Sequence, residues 1–170
     1  MMSEVMGYHC HTCGKFHEGL PFDYGYDAPY YWYTIPEGER EKLAWLTSDF
    51  CVIEGRDFFV RGCLPIPVIG HEQKFVWGVW VSLSQTNFTR VMELWISLEC
   101  EKEPEHFGWL SSKLPFYPDT LSLKTMVHNW SVDKRPWITV EPTDHPLAVE
   151  QRNGITLSRV QEIAEYTLHK

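Results

Sequence analysis

Residues 75–83 read Phe-Val-Trp-Gly-Val-Trp-Val-Ser-Leu, a run without a charge and apolar on both alternating faces. Such a segment needs apolar cover on each side, which predicts a central strand rather than an edge strand. It is less than half the ~20 residues that a membrane-crossing helix requires, so it belongs to a folded core. Gly78 in its middle predicts a bulge or the close approach of another backbone. The rest of the chain has the material for a core. Its 170 residues include 8 Trp, 8 Tyr and 9 Phe, and 44% are hydrophobic, a composition that disordered segments lack. A fold of this length buries roughly 70% of the surface its unfolded chain exposes, so staples are not required. One domain over residues 1–170 is expected.

Further elements follow from local pattern. Phe50–Ile53 and residues 58–63 read as strands flanking Glu54-Gly55-Arg56-Asp57, which has the composition of a hairpin turn. Residues 121–130 and 137–141 read as two more strands. A helix is expected over 36–46, with Pro36 in its first turn and Glu37, Glu39 and Glu41 near the positive end of its dipole. Ser84 caps a second helix reaching Leu98, with Phe88, Val91, Met92, Trp95 and Ile96 at helical spacing. Residues 99–105 read as an acidic exposed loop. Residues 144–152 read as a loop and a single helical turn leading into Gly154, capped by Asp144. Thr156 caps the last helix between the staple residues Ile155 and Val160. Leu157, Val160, Ile163, Ala164, Thr167 and Leu168 form its apolar face, with Arg159, Glu162, Glu165 and Lys170 toward solvent. The expected fold class is α+β. A mainly antiparallel sheet packs against two or three helices over residues 36–170, after an irregular N-terminal zinc-knuckle segment at 8–35. Trp77, Trp80, Trp95, Trp109, Trp130 and Trp137 are expected mostly to pack that core.

Charge and cysteine usage bound the partners. Fifteen Lys+Arg against 23 Asp+Glu give a net charge of -8, which argues against nucleic acid as a main partner. The first ten residues carry neither the basic region nor the apolar run of a signal peptide. No membrane association is expected. An odd number of cysteines fits a reduced compartment, and a cytoplasmic location is expected. Cys51, Cys63 and Cys100 read as small hydrophobes in packing positions.

The strongest chemical signal is His9-Cys10-His11-Thr12-Cys13-Gly14-Lys15-Phe16-His17. Two residues between Cys10 and Cys13 bring both sulfurs onto one ion, and glycine lets the backbone fold back toward the thiolates. His17, four residues on, supplies an imidazole, and zinc takes this mixture tetrahedrally. A thioredoxin-like redox pair competes, but it needs a helix start where Gly14, Gly19 and Pro21 oppose one. Two unligated thiols are the third reading. A fourth ligand comes from far along the chain or from water. His128 and His145 lead, His145 being the one assigned to the metal site with Cys10, Cys13 and His17; Cys51 and Cys63 stand behind them. Water in the fourth place makes the site potentially catalytic, with Glu18 the nearest base, although adjacent residues on an extended chain point to opposite sides. Asp144, His145, Glu150 and Arg152 form a second polar group within nine residues. Ser-His-Asp spacing, P-loop and G-x-G-x-x-G motifs are absent.

With these segments read, the chain resembles a family of bacterial proteins known as domain of unknown function 2199. The resemblance rests on Cys10-His11-Thr12-Cys13-Gly14 with His17-Glu18-Gly19-Leu20-Pro21, on Phe59-Val60-Arg61-Gly62 and on Val76-Trp77-Gly78-Val79-Trp80-Val81-Ser82-Leu83-Ser84. Phe107-Gly108-Trp109-Leu110, Leu123-Lys124-Thr125 and Thr143-Asp144-His145-Pro146-Leu147-Ala148-Val149-Glu150-Gln151 complete it. It implies one full-length domain of a bacterial protein, and it implies no activity, substrate or catalytic residue.

Two functions remain open on these grounds. One is a non-enzymatic interaction protein in which a structural zinc fastens the N-terminal segment to the sheet. An acidic domain of this kind suits a basic protein partner of unspecified identity. The other is a metal-dependent, hydrolase-like enzyme with an open zinc position, where His145, Glu150 or Glu18 assists proton transfer.

Overall fold

The structure, a computed structural model, describes residues 7–98, 102–129 and 134–170. Expectations for Cys100 and Trp130, and for part of the 99–105 loop, lie outside the described residues. The chain opens with strands β1 (Gly7–His9), β2 (Phe16–Glu18) and β3 (Asp23–Gly25), then the short helices α1 (Tyr30–Tyr33) and α2 (Arg40–Leu43). Strands β4 (Ala44–Leu46), β5 (Phe50–Ile53), β6 (Asp57–Ile66) and β7 (Phe75–Leu83) follow, and then helix α3 (Gln85–Leu94). After β8 (His106–Leu110), β9 (Lys124–His128) and β10 (Trp137–Val140), helices α4 (Pro146–Asn153) and α5 (Leu157–His169) complete the chain.

From β6 to β10 each strand pairs antiparallel with its successor. In a five-strand run of that kind the first and last strands point the same way, so closure demands a parallel seam. The seam is present where Trp137 pairs with Cys63 and the Cys63 amide donates to Pro136 O at 2.9 Å. The sheet is therefore a closed five-stranded barrel. β5 and β4 continue outward from β6, and β3 joins β7 in parallel. This corrects the expectation of a mainly antiparallel sheet packed against two or three helices. The period-2 pattern locates strands, but whether a sheet curls onto itself depends on twist and stagger accumulated over all of them.

The core lies inside the barrel. Val60, Leu64 and Ile66 of β6 and Phe75, Trp77, Val79 and Val81 of β7 are at most 1% exposed. On the opposite face of β7, Trp80 is also fully buried, against Cys51, Ile53 and Phe59 beneath Trp32 and Ile35. β7 is thus covered on both sides, as its sequence predicted. A Cβ at Gly78 would stand 3.0 Å from the Cα of Gly25, its partner on β3, which is the close backbone approach that the glycine announced.

Helices cover the two ends of β6. At its start, Phe88 of α3 packs on Phe58 and Phe50, with ring centroids 5.2 and 5.7 Å apart. The Ser84 hydroxyl caps α3 by accepting from the Asn87 amide, but the helix stops at Leu94 rather than Leu98. At the other end, Gln151 of α4 donates to Pro65 O and Ile138 O and accepts from the Val140 amide. One side chain thereby laces β6 to β10 where the short parallel seam leaves backbone groups without ladder partners. α4 is longer than the single turn expected, and its N-cap is His145 rather than Asp144.

Two other segments differ from expectation. Residues 36–46 form a 3-10 turn at Glu37–Glu39, then α2, and then β4, because Ala44 turns extended to pair with Ile53. The segment 8–35 is ordered into β1, β2, β3 and α1 rather than irregular. Among the described residues, no helix is long and apolar enough to cross a membrane.

Candidate metal centre

The hairpin of β1 and β2 is the frame of the site. Tyr8 pairs with His17 and His9 with Phe16, which brings the turn of residues 10–15 to one end. The Cys10 amide donates to Lys15 O and the Gly14 amide donates back to Cys10 O, both at 2.9 Å. Gly14 has φ +70, a left-handed conformation that side chains with a Cβ resist. This fold-back aims amide groups at sulfur. Burial raises the pKa of the Cys10 thiol, but N–H groups of Cys13 and Thr12, together with the His169 ring, overcome it and hold the thiol down at about 6. Cys10 is therefore disposed to carry the charge a metal ligand needs.

Helix α5 brings the fourth group. Cys10 Sγ lies 3.2 Å from His169 Nε2, and Cys13 Sγ lies 3.3 Å from His17 Nε2. Ligand atoms of Cys10, Cys13, His17 and His169 all fall within 4.8 Å of one another. Zinc holds thiolates at about 2.3 Å and imidazoles at about 2.0–2.1 Å, so its tetrahedral edges are about 3.3–3.8 Å, close to the 3.2 Å from Cys10 to His169 and the 3.3 Å from Cys13 to His17. These four side chains are close enough to hold one metal ion.

The same face of α5 grips the hairpin beside the cluster. Gln161 donates to His9 O at 2.8 Å, and Glu165 accepts from the His11 amide at 2.7 Å. Donation from Gln161, then from His11, holds the Glu165 carboxyl below the usual carboxylate range. Tyr8 and Cys10 pack on Ala164 under these polar contacts. Glu165, expected to face solvent, is turned onto the knuckle. Arg159, also assigned to solvent, pairs with Glu150 at 2.9 Å, while Leu168 of the expected apolar face is 52% exposed.

Other sequence candidates are placed elsewhere. His145 caps α4: its Nδ1 accepts from the Leu147 amide, and its Nε2 is 3.2 Å from Pro118 O and 3.1 Å from Asp119 O. His128 contacts Thr139 and Glu105. Burial pushes the Cys51 thiol up to about 12 and raises that of the half-buried Cys63, in keeping with packing roles. Glu150 accepts from Tyr117 and Arg159, so its carboxylate is engaged between α4, α5 and the loop after β8. His169 was missed. Its signal was the four-residue spacing of Gln161, Glu165 and His169, a polar stripe on a helix already read as one-sided.

A comparison with known families now bears on this arrangement. The family described as uncharacterised protein conserved in bacteria (DUF2199) matches residues 9–155. The chain belongs to the DUF2199 family. The match takes in Cys10, Cys13 and His17 of the cluster, and His169 lies beyond its end. No curated protein and no solved structure matches this DUF2199 chain.

Proposed function

We propose that Cys10, Cys13, His17 and His169 bind one zinc ion as a structural staple, and that the protein is a non-enzymatic interaction module. The observation that carries this is the meeting of donors from both ends of the chain: Cys10 and His169 are 159 residues apart in sequence and 3.2 Å apart in space. Two sulfurs and two imidazoles match zinc's preference, and four protein donors complete its tetrahedron. The ion would close a loop spanning almost the whole chain and hold the hairpin on α5. The net charge of -8 supports a basic protein as partner, rather than nucleic acid or an anionic membrane.

The enzyme alternative needs an open zinc position near His145 or Glu150, and both of those side chains are engaged by other groups. Cobalt substitution separates the readings. A closed S2N2 shell is expected to give a tetrahedral visible spectrum that azide leaves unchanged, with about one zinc per chain in the native protein. His169→Ala is expected to weaken binding at least about tenfold, and chelation to lower amide protection in residues 7–18 by about a hundredfold while β6 and β7 keep theirs. An azide-induced spectral shift would transfer the case to the open, catalytic site. Metal affinity unchanged in His169→Ala would sink the four-ligand staple.

A further inference from the structure

A cleft of about 800 Å³ opens between the segment carrying α1, the loop after β8 and the end of α5. That volume lies within the range of about 300–1,000 Å³ typical of small-molecule sites. Tyr26, Tyr30 and Tyr33 line one wall, and Lys113 and Lys170 come from the other two. None of the four candidate metal ligands lines it, and Lys170, which does, directly follows His169.

The wall is held in place. The Tyr30 amide donates to Ser111 O at 2.8 Å, and Tyr26 is fastened through its carbonyl, which accepts from the Trp80 indole at 2.7 Å. Arg40 stands 4.2 Å over the Trp32 ring and 6.0 Å from that of Tyr33, stiffening the aromatic segment. Among the lining side chains, two ammonium groups, those of Lys113 and Lys170, stand against one carboxylate, that of Asp119, whose Oδ1 is turned back to accept from the Leu121 amide. The Lys113 ammonium sits over the Tyr30 ring, 5.7 Å from its centroid, so cation and aromatic ring adjoin in the cleft.

We infer that this cleft binds a small anion carrying a flat ring, with the ring against the tyrosines and the acidic group on Lys113 and Lys170. Rigid tyrosines offer contact area at low entropic cost, and ammonium groups select the acid without imposing a single geometry.

The test titrates 1-anilinonaphthalene-8-sulfonate into the full-length protein, beside N-phenyl-1-naphthylamine, which has the same rings without the acid. One saturable site is expected, binding the sulfonate at least about tenfold more tightly than the neutral probe. Lys113→Glu, at an exposed position, is expected to cost about tenfold in sulfonate affinity and nothing in affinity for the neutral ring. Displacement of the sulfonate by phenyl phosphate or by benzoate supports the assignment and ranks the two acid groups. Equal affinity for the two probes, an unchanged Lys113→Glu variant, or displacement by neither acid would overturn it. So would loss of the site in Trp109→Ser, because Trp109 lies on the exposed face of β8.

Discussion

The barrel and the β1–β2 hairpin are both antiparallel β-structure, yet they owe their order to different forces. β6 and β7 pair over nine positions, and their inward side chains lie in a closed interior from which water is excluded. The hairpin pairs at three positions, and its Phe16 is 52% exposed. A two-stranded ribbon of that size is marginal at best by itself. What the hairpin has instead is attachment: Gln161 and Glu165 of α5 hold its backbone, and four donors are poised around one point. The lesson is that a barrel is stabilised by the volume it encloses, whereas a ribbon too small to enclose anything must be tied to something else.

That contrast can be broken at three places. Trp77→Ala empties the barrel and is expected to cost about 3–5 kcal/mol. Thermal melts should show the same loss with and without chelator; a loss that disappears on chelation would mean that the two regions are one cooperative unit. Gln151→Leu removes the lace across the parallel seam and strands the Val140 amide and the Pro65 and Ile138 carbonyls. About 1–3 kcal/mol is expected, measured by urea unfolding, with metal content unchanged. An unaltered midpoint would mean that the seam closes without it.

The smallest effect concerns acid. Arg90, and then His106, hold the Glu103 carboxyl below its ordinary value of 4.5. A carboxyl lowered on folding adds stability above its unfolded pKa, and that contribution is lost as pH falls through the folded one. The gap in stability between wild type and Glu103→Gln should therefore be full near neutrality and shrink below about pH 4.5. Since α3 and β8 lie apart from the knuckle, amide protection in residues 7–18 should not distinguish the two proteins. A gap that is flat from pH 7 to pH 3 would refute the Arg90 pairing.

Much of the fold was legible where a signal is local. Phe50–Ile53 and Phe75–Leu83 stand at the boundaries that alternation and turn residues announced, and the Thr156 hydroxyl caps α5 by accepting from the Arg159 amide. β8 was not read as a strand, because five residues interrupted by Gly108 carry too short an alternation to register. Residues 44–46 were assigned to a helix because Ala-Trp-Leu suits either state, and pairing with β5 decided between them. For the site, the Cys10 to His17 spacing pointed to three donors in a hairpin, while the fourth depended on which face of α5 meets that hairpin.

Local chemistry alone determined that the chain makes strands rich in aromatics, a capped C-terminal helix and a thiol-bearing turn near its start, since each depends on neighbours a few residues apart. Tertiary structure decided that the sheet closes through Trp137 and Cys63, and that His169, not His145, stands beside Cys10. Both outcomes depend on accumulated strand twist and on the packing of elements far apart in the chain, and no short window of sequence encodes a distance of that kind.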